Sequence, residues 1–148
     1  MADLTREAVA AAARDWVGTP FVHGASRKGA GADCLGLVRG VWRELLGAEP
    51  ERAPLYAPDW AARSREERLM AAAARHFRAK PAALAEVGDL LLFRLRAGRP
   101  ATHLGVRAEA ASGPTVIHAW EGRGVVESPL SESWRRRIAG VFAFPKKV

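Results

Sequence analysis

The hydrophobic pattern of the chain changes its period near Pro81, and this change indicates the fold class. Before Pro81, apolar residues recur at helical spacing, which predicts helices over residues 4–17, 34–46 and 59–78. After it, short apolar runs between glycines and prolines predict strands over residues 89–95, 101–108, 114–120, 124–127 and 138–144. We therefore expect one α+β domain over residues 1–148, with N-terminal helices packed on a C-terminal antiparallel meander.

The first two predicted helices have recognisable ends. Asp3 is placed to cap the first helix, which the glycine and proline of residues 18–20 end. A glycine-rich loop over residues 19–32 leads to the second helix, and Gly47 closes that helix. Residues 48–58 contain three prolines and are expected to be irregular.

The net charge of +7 is suited to an anionic partner such as nucleic acid, anionic cell-wall polymer or an acidic protein. The chain contains no recognisable RNA- or DNA-binding motif, so we expect no specific nucleic-acid partner. Its first residues lack the basic and apolar regions of a secretory signal, and no apolar run approaches the roughly 18 residues of a membrane span. We therefore expect neither a signal peptide nor a transmembrane segment.

Cys34 is the only cysteine, which excludes an internal disulfide. It follows the glycine-rich loop and opens the second helix. The positive end of the helix dipole and the free amide groups there are expected to lower the thiol pKa and to offer an oxyanion site. Gly36 is expected to leave room for an approaching substrate. On this stretch alone, a buried structural cysteine is an equal alternative.

Two histidines favour the catalytic interpretation, because a cysteine nucleophile needs a base and the base needs an orienting group. A hairpin turn centred between Ala110 and Ala111 would place His103 and His118 directly opposite each other on one face of the sheet. We predict Cys34 as nucleophile, His103 as general base and acid, and His118 as the group that orients His103. A zinc site with these three ligands and a water is the alternative.

Several motifs, taken in order, resemble the NlpC-type cell-wall peptidases, a compact branch of the papain-like cysteine enzymes. The resemblance extends over residues 11–145, and it rests on residues 18–24, 33–37, 87–93, 102–106, 116–119 and 141–145. It implies a papain-like fold and hydrolysis of an amide in peptidoglycan stem peptides through a thioester, without metal or cofactor. Cys34, His103 and His118 match the catalytic positions of the family.

Four further residues are candidates for substrate binding: Phe21, His23, Asp33 and Leu35. The family often has tyrosine where this chain has Phe21, and many members have serine where it has Leu35. Asp33 can bind a substrate ammonium group, although capping of the helix is the favoured interpretation. His23 is as consistent with an exposed loop position as with the cleft.

Within the family, the chain most resembles members encoded with phage tails and gene transfer agents, with which it shares Thr19, Pro20, His23 and Leu35. This resemblance implies a component of a phage-like tail that locally opens the cell wall during delivery. Other tail or baseplate proteins would then be its partners, and the particle its location. The alternative is a structural subunit of the tail tip that keeps the fold but has little or no activity.

Overall fold

The computed structural model describes residues 5–51 and 67–145. Its helices are α1 (Arg6–Arg14), α2 (Cys34–Leu46), α3 (Arg68–His76) and α4 (Glu132–Arg136). Its strands are β1 (Ser26–Arg27), β2 (Gly31–Ala32), β3 (Arg78–Lys80), β4 (Leu90–Phe93), β5 (His103–Ala110), β6 (Gly113–Trp120), β7 (Gly124–Pro129) and β8 (Ile138–Ala143). A short 3-10 helix covers Ala82–Leu84. Within these described ranges, no helix has the length and apolar character needed to span a bilayer.

Strands β3 to β8 form one antiparallel sheet in the order β3-β8-β4-β5-β6-β7. The other two strands, β1 and β2, pair with each other in the loop before α2. Strand β4 lies inside the large sheet and all four of its residues are buried, which explains its unbroken apolar sequence. The predicted α+β class with an antiparallel sheet is confirmed.

Helices α1 and α2 cover one face of the large sheet. Their apolar residues, including Val9, Leu37 and Val41, meet Leu104 and Ile117 of the sheet in the main hydrophobic core. All five side chains are at most 3% exposed. Burial of each such side chain stabilises the fold by roughly 1.5–3 kcal/mol before entropy costs, so this layer holds α2 firmly against β5.

A smaller core lies on the opposite face of the sheet, under α4. It contains Leu91, Phe93, Val116 and Val141, and the half-buried Trp134 of α4 packs against them. The sequence patterns did not predict α4, because a helix of five residues is too short to show a helical period. This face also carries His103 and His118, which pack against Phe93 and Trp134.

Several boundaries differ from the sequence-based expectations. Thr5 caps α1 by accepting a hydrogen bond from the Ala8 N–H, whereas Asp3 lies outside the described residues. The α1 helix ends at Arg14, and residues 15–17 form a turn. Of the predicted helix over 59–78, residues 59–66 lie outside the described ranges.

The end of that third helix was also predicted wrongly. Helix α3 stops at His76, and Arg78 begins strand β3 by pairing with Ala143 of β8. This segment pairs with strand β8 through main-chain hydrogen bonds. A side-chain pattern of helical period gives no information about such pairing. Of the region predicted to be irregular, residues 52–58 fall outside the described part of the chain.

Candidate active site

Asp33 fixes the main chain around Cys34. One carboxylate oxygen accepts a hydrogen bond from the Gly36 N–H at 2.7 Å, which caps α2, and the other accepts from the Gly24 N–H at 2.7 Å. The loop therefore packs tightly on the start of the helix. A Cβ at Gly36 would lie 1.8 Å from the carbonyl oxygen of Ala25. Gly36 thus allows this close approach of the loop, rather than making room for substrate as we expected.

The Cys34 thiol lies against the strand that carries His103. Its Sγ is 3.9 Å from the carbonyl oxygen of Thr102, and the Leu104 N–H is directed at the sulfur. Burial raises the thiol pKa to about 12, and the negative charge of Asp33 adds to the effect. The amides of Leu35, Leu104 and Cys34 itself act in the opposite direction but do not compensate.

The expectation that the helix N-terminus would lower the thiol pKa is therefore wrong. Partial desolvation of the half-buried Cys34 and the charge of the nearby Asp33 carboxylate together outweigh the dipole and the amide groups. At neutral pH the resting Cys34 is a thiol, and it becomes a thiolate only if a base removes its proton.

The hairpin that carries the two histidines has a different register from the predicted one. Ala110 pairs with Gly113, so the turn is centred one position further along the chain than we expected. As a result, His118 faces Gly105 instead of His103. A Cβ at Gly105 would lie 3.0 Å from the His118 Cβ. The two histidines still share one face, because a pairing shift of two residues preserves the side of a strand.

The imidazoles meet diagonally across the hairpin and form a chain of contacts. The His103 Nε2 lies 2.7 Å from the His118 Nδ1, and the His118 Nε2 lies 3.1 Å from the Ser128 Oγ. The other ring nitrogen of His103, Nδ1, does not face His118. His103 is 4% exposed and His118 is 2% exposed.

Both imidazoles are neutral at physiological pH. Burial, together with the adjacent His118, lowers the pKa of His103 to about 3. Burial also lowers the pKa of His118 to about 4. Because Cys34 is a thiol in the same resting state, the site does not contain a preformed thiolate–imidazolium pair.

Three aromatic rings surround the pair and keep it dry. The Trp134 ring centre lies 5.7 Å from that of His103 and 5.2 Å from that of His118. Trp120 lies 5.0 Å from His103, and Phe93 lies 5.7 Å from it. This apolar shell is the physical cause of the low imidazole pKa values, because a charged ring would lose its hydration there.

One cavity of about 840 Å³ collects most of the predicted site residues. Cys34 and His103 lie on its wall, together with the four predicted substrate-binding residues Phe21, His23, Asp33 and Leu35. His118 is not among the lining residues, and its hydrogen bond places it behind His103. The wall is largely apolar, with Trp42, Leu69, Phe77, Leu90 and Leu92 beside the charged side chains.

The geometry does not fit the zinc alternative. Two nitrogen ligands on one tetrahedral zinc ion lie roughly 3.3 Å apart, since each sits about 2.0–2.1 Å from the metal. The facing nitrogens of His103 and His118 are only 2.7 Å apart and point at each other. Among the residues that the structure describes, no three histidine, cysteine or acidic side chains are grouped to hold a metal ion.

Sequence reasoning missed two residues of this site, Ser128 and Trp134. The predicted strand stopped at Glu127, whereas β7 continues to Pro129 and brings the Ser128 hydroxyl beside His118. The strand itself was predicted, but its predicted end was too early. A strand longer by one residue would have placed Ser128 beside β6. Trp134 belongs to the unpredicted helix α4.

Comparison with known proteins relates this arrangement to one family. The model of the NlpC/P60 family matches residues 18–142. The solved NlpC/P60 domain of the peptidoglycan hydrolase SagA is 22% identical, with a TM-score of 0.62 over 96% of this chain and 99% of that one. An N-acetylmuramoyl-L-alanine amidase from Bacteroides uniformis is 13% identical, with a TM-score of 0.59 over 97% and 99% of the two chains.

A third structure is an NlpC/P60 family protein from Bacillus cereus. It is 16% identical, with a TM-score of 0.67 over 97% of this chain and 41% of that one. The chain thus spans less than half the length of that protein. A search of curated proteins gives no match. At these identities, the structural similarity establishes the shared fold.

Proposed function

Since the chain belongs to the NlpC/P60 family, we propose that it is a cysteine peptidase, which cleaves an amide bond in peptidoglycan stem peptides with Cys34 as nucleophile. One observation carries the proposal. Cys34 and His103 share the wall of one cavity, and His118 is hydrogen-bonded behind His103. A nucleophile, a base and an orienting group would need this order, and the arrangement therefore supports the proposal.

The first step is a proton transfer coupled to attack. The Cys34 thiol gives its proton to the Nδ1 of His103, and the sulfur forms a bond to the carbonyl carbon of the substrate. The high pKa of the thiol and the low pKa of the imidazole make the separated ion pair unfavourable before substrate arrives. The proton therefore moves as the C–S bond forms, when the negative charge passes from sulfur to the substrate oxygen.

Main-chain amides at the start of α2 are suited to receive that oxygen. The N–H groups of Cys34 and Leu35 are directed at the site of the sulfur, and the helix dipole adds positive potential. Phe21 lies on the cavity wall without a hydroxyl to donate, so these amides are the donors that the proposal assigns to the oxyanion.

The collapse of the tetrahedral intermediate uses the same histidine. His103 returns its proton to the leaving amine, the C–N bond breaks, and a thioester to Cys34 remains. Water then attacks the thioester while His103 accepts a proton from it, and the thiol is regenerated as the peptide acid leaves. Leu35 and Phe21 give the cavity an apolar wall beside this centre, which favours the aliphatic part of a stem peptide.

Digestion of peptidoglycan and defined muropeptides by the purified protein tests the proposal. We expect new peptide ends in mass spectra, at an unchanged rate in the presence of EDTA, because the proton relay uses protein groups alone. Loss of cleavage on chelation and its return with zinc would overturn the thiol mechanism. If the folded protein cuts no stem peptide, the role of an inactive structural subunit replaces the enzyme proposal.

We also propose that the chain works in the tail of a phage-like particle, where it meets other tail or baseplate proteins. The support is the sequence resemblance at Thr19, Pro20, His23 and Leu35 to tail-encoded members of the family. We expect the chain to co-sediment with tail proteins at a constant ratio through a density gradient of purified particles. Its absence from the particle fractions, as measured by mass spectrometry, would contradict this location.

A further inference from the structure

The Ser128 hydroxyl ends the chain of polar contacts that starts at His103. Its Oγ lies 3.1 Å from the His118 Nε2, on the far side of the ring from the nitrogen that faces His103. Ser128 belongs to strand β7, which forms the edge of the sheet next to the strand that carries His118. The strand pairing places Ser128 opposite Val116, two residues from His118.

The direction of the hydrogen bonds between His103, His118 and Ser128 decides whether His103 can act as a base. If the His118 Nε2–H donates to Ser128, then the His118 Nδ1 accepts from the His103 Nε2–H, and the His103 Nδ1 keeps its lone pair for the thiol proton. If the order is reversed, the His103 Nδ1 carries a hydrogen and cannot accept from Cys34. Only the first direction supports catalysis.

The contact with Ser128 also matters more in the transition state than at rest. When His103 takes the proton, its Nε2–H becomes a stronger donor and His118 must accept it. An acceptor for the His118 Nε2–H then helps to spread the positive charge over the two imidazoles and the hydroxyl. Trp120 and Trp134 pack on the imidazole pair, and the half-buried Ser128 hydroxyl is a protein group within hydrogen-bond distance of the His118 Nε2.

From these contacts we propose that Ser128 is a positioning residue, which holds His118 as the acceptor for His103 and so keeps the Nδ1 of His103 ready for Cys34. The inference rests on the proposed function for its catalytic consequence. The hydrogen bond itself is a property of the resting protein and is tested separately.

A matched pair of variants, Ser128→Thr and Ser128→Val, isolates the hydroxyl. Threonine and valine have almost the same shape and both favour strands, so that either variant is suited to β7. We expect Ser128→Thr to keep kcat within twofold of the wild type, and Ser128→Val to lower kcat by about fivefold with KM unchanged. Ser112→Ala, in the exposed β5–β6 turn, should leave both constants unchanged.

Nitrogen-15 NMR of the histidine side chains supplies a readout that needs no substrate. In the wild type and in Ser128→Thr, we expect a hydrogen on the His118 Nε2 that exchanges slowly with solvent. In Ser128→Val, that signal should exchange faster, or the hydrogen should move to the Nδ1. Equal signals and equal kcat in the Thr and Val variants would overturn the inference.

The two readouts also separate the inference from the proposed function. If the protein cuts no stem peptide but its NMR signals change as expected, the positioning of His118 stands and the proposed function fails. If the protein is an active peptidase and Ser128→Val matches Ser128→Thr in both measurements, the positioning role fails and the proposed function stands.

Discussion

Replacing Cys34 by alanine is expected to lower kcat/KM for stem-peptide hydrolysis by at least about 10⁴-fold, the scale of loss for a catalytic nucleophile. No other cysteine exists in the chain to take over the attack. Cys34 opens α2 under the cap of Asp33, so alanine suits the helix and should leave the fold intact. The loss would then report chemistry and not unfolding.

A Cys34→Ser variant makes the same test stricter. Its hydroxyl is slightly smaller than the thiol and keeps a polar group at this position of the cavity wall. Its oxygen is a much weaker nucleophile at a site where even the thiol has a pKa of about 12. We expect this variant to be as inactive as Cys34→Ala, although it retains a polar side chain.

Steady-state kinetics on a defined muropeptide, with calorimetric binding to both variants, checks this expectation. Binding should stay within a few-fold of the wild type, because the other residues of the cavity wall are unchanged. Residual hydrolysis within about 100-fold of the wild type would remove Cys34 from the role of nucleophile. An ultraviolet thiolate band at neutral pH, present in the wild type and absent from Cys34→Ala, would contradict the neutral resting state.

The buried imidazole pair is expected to make the protein lose stability as the pH falls from 7 to 5. In the folded state the pKa values of His103 and His118 are lowered to about 3 and about 4, whereas an unfolded histidine titrates near 6.5. In this window the unfolded chain binds more protons than the folded one, so the free energy of unfolding decreases with falling pH. Between pH 7 and pH 5 the two residues together account for up to about 4 kcal/mol.

The range from pH 7 to pH 5 separates the titration of the histidines from that of the acidic residues. Hydrogen bonds and ion pairs with arginine lower the pKa of Glu127, for example, which stabilises the folded state above the ordinary carboxyl pKa. That stabilisation is lost only as the pH falls below about 4.5, where the unfolded carboxyl groups begin to take up protons. A change in stability between pH 7 and pH 5 therefore reports mainly the imidazoles.

A His118→Asn variant tests the assignment, because asparagine keeps a donor and an acceptor but does not titrate. Urea unfolding at a series of pH values should show about half the wild-type loss of stability between pH 7 and pH 5. The Ser112→Ala variant, altered only in the exposed β5–β6 turn, should follow the wild-type curve. A flat wild-type curve, or an unchanged slope in His118→Asn, would contradict buried neutral imidazoles at this site.

Local patterns were sufficient for the types of element and for part of the site. Helical spacing after residue 34 and the small residues before it placed Cys34 at the start of a helix, as observed for α2. The alternation around His103 and His118 placed both on one face of a hairpin, and this survived the error in register. Because the turn moved by one whole position, the pairing shifted by two residues, and a shift of two preserves the face.

Tertiary contacts decided the properties on which the chemistry depends. The Cys34 pKa rises because neighbouring elements of the fold partly bury the thiol and the Asp33 carboxylate lies close to it, and the dipole of its own helix is the weaker effect. Ser128 and Trp134 reach the imidazoles only because β7 and the short helix α4 pack beside β6. Periodicity reports which side of an element is apolar, because that is a local property. Burial, charge and hydrogen bonding at a site depend on residues that are distant in the chain, and only the folded arrangement brings them together.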